Sequence, residues 1–156
     1  MISLEGLAWL ILRIGYAWLY LHALVGLLNQ WQSTEDMVSL LFPKFTSFFA
    51  ALMIAVMFVC SISLILGFYA EIAGFFLCFY NLLGMRLHYK LANIVKNFQL
   101  SKLADEADRE PLQNAAELGY VGHITSAQKN AVLFAVAIFF MILGSGPVSL
   151  TQPMWF

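Results

Sequence analysis

Charged residues are scarce in this sequence. Of its 156 residues 11% are charged and 62% are hydrophobic, with a mean hydropathy of +0.80, whereas a soluble domain is about a quarter charged and about half apolar. This composition excludes an ordinary soluble domain and indicates a membrane protein. The net charge is -1 and the basic residues are dispersed, so nucleic acid is excluded as a partner.

Motifs that carry chemistry are scarce too. The sequence has no metal-binding spacing, no nucleophile elbow, no phosphate-binding glycine loop and no paired-carboxylate site. The two cysteines, Cys60 and Cys78, both fall in long apolar runs, where they say little about redox compartment. So few polar groups disfavour an independent enzyme.

Long apolar runs, by contrast, are abundant. A helix needs roughly 20 apolar residues to cross a hydrocarbon core about 30 Å thick, and four runs of this kind lie at about 7–28, 48–67, 70–89 and 130–146. Because lipid cannot satisfy backbone N–H and C=O groups, each run is predicted to be helical. The sequence therefore predicts an all-α fold, an up-down bundle of four transmembrane helices that forms a single polytopic unit over residues 1–156.

The connections between these runs predict the arrangement of the helices. Few residues beyond Gly67 are available to turn between the second and third runs, so these two helices are expected to be antiparallel neighbours. Part of the first connection, which contains Trp31, is expected to be a short interfacial helix. In the third connection, residues 100–107 place apolar side chains on one face and Pro111 suits the start of a helix. We therefore expect two short amphipathic helices there.

The distribution of Lys and Arg predicts the orientation in the membrane. The first and third connections and the residues beside them contain Lys44, Arg86, Lys90, Lys96, Lys102, Arg109 and Lys129. The amino terminus, the turn between the second and third runs and the carboxyl tail contain none. The positive-inside rule then predicts a cytoplasmic 3–4 connection, with both termini on the other side.

Arg13 is the least expected residue, since it lies about two turns inside the first run, where a charge costs roughly 2.5–3.5 kcal/mol unless it is paired or reaches the interface. In the predicted topology it shares one membrane face with the 2–3 turn and with the end of the last helix. The predicted polar site comprises Arg13, Glu71, Gly144, Gly146, Pro147 and Ser149. Glu71 is the expected counter-ion, with carbonyl groups at the end of the last helix as further acceptors. A structural pair, a clamp for an anion or a quinone carbonyl, and snorkelling all remain open.

Secondary candidates lie towards the opposite face, where His22 and His88 have Tyr20 nearby. Two imidazoles on separate helices can hold a haem, hydrogen-bond a quinone or relay protons, or simply be hydrogen-bonded at the interface. Haem is disfavoured because His22 lies about 9 Å inside the boundary and His88 near it. His123 falls in the polar third connection and is expected to be solvated.

Cys60 and Cys78 lie at equal sequence distance from the turn between the second and third runs. Antiparallel helices would place them at the same depth, near the middle of the bilayer. They form a thiol pair if their Cβ atoms face each other within about 4.5 Å. The alternative is that both are small apolar side chains of the core.

The last run resembles the closing helix of the DoxX/DoxD family of small four-helix membrane proteins, which ends in Gly-Pro-Gly and Ser-Leu-Asp. The residues that follow this pattern are Lys129, Asn130, Gly144, Gly146, Pro147, Ser149 and Leu150. The stretches LILRIGYAWLYLHAL and SLILGF resemble the first helix and the end of the second. The chain departs from the family at Glu71, where a basic residue is frequent, and at Thr151, where the family has an acid.

The resemblance implies a function, since family members are linked to thiosulfate–quinone oxidoreduction and other membrane redox systems. It implies a small integral-membrane subunit of a quinone-linked redox assembly in the bacterial inner membrane, with quinone as cofactor and other membrane subunits as partners. If the chain takes part in catalysis, it does so as a subunit of a membrane oxidoreductase. A non-catalytic scaffold or accessory subunit is the alternative. A solute carrier is disfavoured, because the sequence has no broken helix pairs or inverted repeats.

Overall fold

The computed structural model describes residues 3–97 and 106–151. These residues form the helices α1 (Leu4–Asn29), α2 (Trp31–Ser39), α3 (Thr46–Leu66), α4 (Ala70–Lys96) and α5 (Glu106–Leu143). Every helix except the short α2 is long and apolar enough to cross a membrane. The prediction of an all-α bundle of four membrane helices is confirmed, and the chain is an integral membrane protein whose apolar helices contact the lipid bilayer.

Capping residues explain where the helices begin and end. The Ser3 hydroxyl accepts a hydrogen bond from the Gly6 amide at 3.0 Å and caps the amino end of α1. Helix α3 ends at Gly67 (φ 65°) and α5 ends before Gly144 (φ 70°), and glycine adopts this left-handed conformation without a steric penalty. The last helix therefore stops before residue 146, where the sequence predicted its end.

The long helices pack in the order α1, α3, α4, α5 around a common apolar core. The interface between α4 and α5 is the most extensive, because small residues let the two backbones approach closely. A Cβ atom on Gly74 would lie 2.7 Å from both the Ala137 carbonyl oxygen and the Met141 amide nitrogen. Helix α1 contacts α5 through larger side chains, such as Trp9, whose ring stacks on Phe139.

Helix α2 lies in the first connection, as the sequence predicted. Its Thr34 hydroxyl donates to the Leu27 carbonyl of α1 at 2.9 Å, and Val38 is buried. After α2, the Leu40 carbonyl accepts a hydrogen bond from the Lys90 ammonium of α4 at 2.7 Å. The first connection and the carboxyl half of α4 therefore lie on the same side of the bundle.

The third connection differs from the prediction of two short amphipathic helices. Residues 98–105, where the first was expected, lie outside the described residues. The second is not separate, because Pro111 lies near the amino end of α5, which continues to Leu143 over 38 residues. Pro111 is the sixth residue of α5, so it removes one helical hydrogen bond near the amino end but does not end the helix. At 1.5 Å per residue α5 is about 57 Å long, so its polar amino half extends well beyond a bilayer core.

Candidate functional site

Arg13 is buried inside the bundle, not in contact with acyl chains. Its side chain is 1% exposed, and its Nη2 donates to the Val148 carbonyl oxygen at 2.5 Å. Val148 follows α5, so this bond joins the amino-terminal half of α1 to the segment after the last helix. The positive charge of the donor strengthens this hydrogen bond. The low dielectric constant of the protein interior strengthens it further.

The segment after α5 also docks on the turn between α3 and α4. The Gly67 carbonyl accepts hydrogen bonds from the amides of Leu150 at 3.1 Å and Thr151 at 3.2 Å, and the Tyr69 amide donates to the Thr151 hydroxyl at 2.9 Å. A Cβ atom on Gly67 would overlap Arg13 Nη1 and lie 2.9 Å from Ser149 Cα. We call residues 144–151 the carboxyl turn, and Arg13, Gly67, Val148 and Ser149 the polar cluster.

The structure thus brings together most of the predicted polar site. Gly144 and Gly146 both have positive φ, and a Cβ atom on Gly146 would overlap the Trp9 ring. The Ser149 hydroxyl lies 2.8 Å from the Gly146 carbonyl oxygen and stabilises the turn, while Pro147 is exposed. Each glycine is therefore required by backbone conformation, and at Gly146 by close approach as well.

Glu71 lies at the amino end of α4, on the same side of the bundle as the polar cluster, and is 3% exposed. The Arg13 guanidinium donates to a carbonyl oxygen of the carboxyl turn. The sequence predicted such carbonyl groups as acceptors in addition to Glu71. Direct pairing of Arg13 with Glu71 therefore stays a prediction.

Hydrogen-bonding groups remain available around the polar cluster. Among the described residues, Arg13 Nε and Nη1 and the buried Ser145 hydroxyl have no hydrogen-bond partner. A buried donor without a partner costs about 1–3 kcal/mol, and more when it is charged. Such a cost at a fixed position is typical of a site built for a ligand or an internal water.

A second polar group crosses the core between α1, α4 and α5. The Tyr16 hydroxyl donates to the Leu133 carbonyl of α5 at 2.7 Å, and the Tyr20 hydroxyl lies 3.0 Å from both the Tyr16 hydroxyl and Asn81 Oδ1. The Asn81 amide donates to the Leu77 carbonyl at 2.7 Å and to the Tyr16 hydroxyl at 3.3 Å. We call Tyr16, Tyr20 and Asn81 the tyrosine network.

Replacing Asn81 with leucine is expected to lower the free energy of unfolding by about 1–2 kcal/mol, because it leaves the buried tyrosine hydroxyls short of partners. The triple variant Tyr16→Phe, Tyr20→Phe, Asn81→Leu is expected to cost less than the sum of the three single changes, since it removes donors and acceptors together. Unfolding in detergent, followed by circular dichroism, measures both. Strict additivity of the three single changes would contradict a coupled network.

The structure gives the two histidine candidates different neighbours. His22 is exposed and stacks on Trp18, with ring centroids 6.2 Å apart. His88 is half-buried, and its Nδ1 lies 3.3 Å from Nδ1 of His123 on α5. The expectation that His123 is merely solvated is wrong, because α5 begins far earlier than its apolar run and carries His123 alongside α4.

Cys60 on α3 and Cys78 on α4 are both buried and both free thiols. They belong to the same apolar cluster, which also contains Met57, Leu64 and Leu77. This placement suits the interpretation of small apolar core residues. Pairing of the two thiols stays a prediction.

Three residues that contribute to these polar groups were not predicted from the sequence as site residues: Tyr16, Asn81 and His123. Tyr16 and Tyr20 lie one helical turn apart, on the face of α1 that also carries Arg13. Asn81 is an uncharged polar residue in an apolar run, and such residues usually face the interior of a membrane bundle. These two signals could have identified the tyrosine network from the sequence.

Comparison with known proteins places the chain beside a described family. A family model described as DoxX matches residues 8–89. The matched range contains α2, α3 and most of α1 and α4 but not the carboxyl turn, although the resemblance in the sequence is most pronounced there. No curated protein and no solved structure matches the chain.

Proposed function

This chain belongs to the DoxX family, and from that premise we propose that it is a small integral-membrane subunit of a quinone-linked redox assembly. The observation that supports this function is the polar cluster. Its guanidinium is 1% exposed, is fixed by one hydrogen bond to the carboxyl turn, and keeps Nε and Nη1 without partners among the described residues. A carbonyl oxygen is the complementary acceptor for these donors.

The chemistry of the donor set fits a quinone. When bound, a quinone supplies two-electron redox chemistry coupled to two protons, and the partner subunit supplies the electrons. Arg13 binds the carbonyl oxygen by charge-assisted hydrogen bonds and stabilises negative charge that develops on it. The Ser145 hydroxyl, also buried without a partner in the described part of the chain, is a further donor on the carboxyl turn.

Access to Arg13 depends on the carboxyl turn, because the turn covers the guanidinium. The described contacts that hold this turn on the α3–α4 connection are hydrogen bonds to Gly67 and Tyr69. Opening of the cluster requires these bonds and the Arg13–Val148 hydrogen bond to break while the helices stay packed. We infer that the quinone head group enters from the membrane face at which α1 begins and α5 ends.

The orientation and location of the subunit follow the distribution of charge. All Lys and Arg except Arg13 lie in or beside the first and third connections. The proposed location is the bacterial inner membrane, with the 3–4 connection in the cytoplasm and the polar cluster near the opposite face.

The experiment compares the native chain, Arg13→Met and Lys44→Met after purification in mild detergent. Quinone in an organic extract is quantified by its reduced-minus-oxidised absorbance. We expect bound quinone with the native chain and with Lys44→Met, which removes a cation elsewhere, and about 10- to 100-fold weaker retention with Arg13→Met. Equal retention by all three chains would contradict the proposal.

A scaffold or accessory subunit is the second candidate. The observation in its favour is the set of large exposed aromatic side chains on the outer faces of α3 and α4: Phe48, Phe58, Phe75, Phe76 and Phe79. Aromatic residues are enriched at protein interfaces. A chain that retains no quinone but purifies in stoichiometric amounts with another membrane complex would establish this function instead.

A further inference from the structure

An open groove of about 640 Å³ lies on α4, well along the helix from the polar cluster. It is lined by Leu82, Met85, Arg86, Tyr89, Lys90 and Asn93. These residues recur at helical spacing along one face of α4. The quinone proposal does not use this groove.

The depth of the groove can be read from the geometry of α4. At 1.5 Å per residue from Ala70, Leu82 lies about 18 Å along the helix, Arg86 about 24 Å and Lys90 about 30 Å. A hydrocarbon core is about 30 Å thick. The apolar end of the groove, with Leu82 and Met85, therefore lies at the level of acyl chains. Lys90 lies at the boundary, and Arg86, about 6 Å inside it, reaches the head groups with its long side chain.

The basic end has unused donors. Arg86 is exposed and makes no hydrogen bond or ion pair within the described part of the chain. Lys90 donates to the Leu40 carbonyl at 2.7 Å, which fixes its position and leaves further ammonium protons available. No acidic residue follows Glu71 on α4, so no carboxylate of this helix neutralises the two cations.

We propose that this groove binds one anionic phospholipid. Arg86 and Lys90 contact the phosphate, Tyr89 and Asn93 flank the head group, and the acyl chains lie along Leu82 and Met85. Arginine and lysine one turn apart give a phosphate both a planar fork of donors and a point charge. Basic pockets beside transmembrane helices at the cytoplasmic face bind anionic head groups in this way.

The shape of the groove favours a lipid over free phosphate. A phosphate ion would occupy the basic end alone and leave the apolar end empty. An anionic head group is favoured over a zwitterionic one, because the groove lining contains no carboxylate to contact a choline or ethanolamine cation. The groove has apolar residues at the level of the acyl chains and cationic residues towards the head groups, and this order favours an anionic phospholipid.

The test uses the full chain, delipidated in detergent and titrated separately with phosphatidylglycerol, phosphatidylcholine and inorganic phosphate. Native mass spectrometry counts the lipids bound. The variants are Arg86→Gln with Lys90→Gln, and a matched control, Lys44→Gln with Lys129→Gln, which removes the same charge outside the groove. We expect one phosphatidylglycerol to bind more tightly than phosphatidylcholine, and the groove variant to lose about 30-fold in affinity while the control changes less than about 2-fold.

Because the exposed Arg86 and Lys90 side chains are replaced without filling the core, the groove variant is expected to fold, and its circular dichroism spectrum checks this. The single variant Arg86→Lys keeps the charge and should keep the preference for phosphatidylglycerol. Equal binding of the two lipids, or equal loss in groove and control variants, would overturn the proposal. Displacement of phosphatidylglycerol by equimolar inorganic phosphate would also overturn it, because the site would then be one for the free ion.

Discussion

Gly74→Ala is expected to lower the free energy of unfolding by about 1–3 kcal/mol, although alanine forms helix better than glycine by about 1 kcal/mol. The physical reason is the close contact of α4 and α5. A Cβ atom at this position would lie 2.7 Å from backbone atoms of Ala137 and Met141. Backbone cannot rotate away as a side chain can, so the two helices must separate. Unfolding in detergent, followed by circular dichroism, measures the loss.

The chain offers a matched control for this substitution. Gly15, also within a helix, has no atom of another described element within 4 Å of the position of a Cβ, so Gly15→Ala should be neutral or should stabilise the helix by up to about 1 kcal/mol. If Gly74→Ala and Gly15→Ala have the same effect, α4 and α5 are not packed as closely as described.

Arg13→Met is expected to release the carboxyl turn while changing the free energy of unfolding by less than about 2 kcal/mol. Losing the bond to Val148 costs about 1.5–3 kcal/mol, but burial of the charge, at roughly 2.5–3.5 kcal/mol, is relieved as well. The local effect is larger. Hydrogen exchange of the Leu150 and Thr151 amides, which donate to the Gly67 carbonyl, should become markedly faster.

The same variant distinguishes a ligand site from a structural ion pair. If Arg13 serves mainly to neutralise Glu71, Arg13→Met would destabilise the protein by about 3–5 kcal/mol, because it would leave a buried charge uncompensated. The double variant Arg13→Met, Glu71→Gln would then recover much of that loss. A small coupling between the two positions supports the function of Arg13 as a hydrogen-bond donor to a ligand.

The position of the polar cluster could be predicted from the sequence, because the order of the membrane helices decides it. In a four-helix up-down bundle the start of α1, the α3–α4 turn and the end of α5 must lie at one face. Which atom Arg13 contacts could not be predicted, since this depends on the path of the backbone after Gly144. The carboxyl turn places the Val148 carbonyl beside the guanidinium.

The number of membrane helices was predictable for a similar reason, since a span needs a long apolar run. The full lengths of α4 and α5 could not be predicted, because hydropathy detects only the part of a helix that contacts lipid. Helix α5 continues to Glu106 through a polar stretch that looks like a loop by composition. The contact of His88 with His123 depends on this extension, and for that reason sequence patterns alone could not predict it.

The most direct test of the central claim, that Arg13 binds a quinone carbonyl, is a fluorescence titration with a short-chain quinone. Quinones quench tryptophan fluorescence, and Trp9 lies against Gly146 of the carboxyl turn. The contribution of Trp9 is the difference between the native chain and Trp9→Phe. We expect saturable quenching of this component, with affinity about 10- to 100-fold weaker in Arg13→Met and unchanged in Lys44→Met. Quenching of equal affinity in the native chain and in Arg13→Met would contradict the claim.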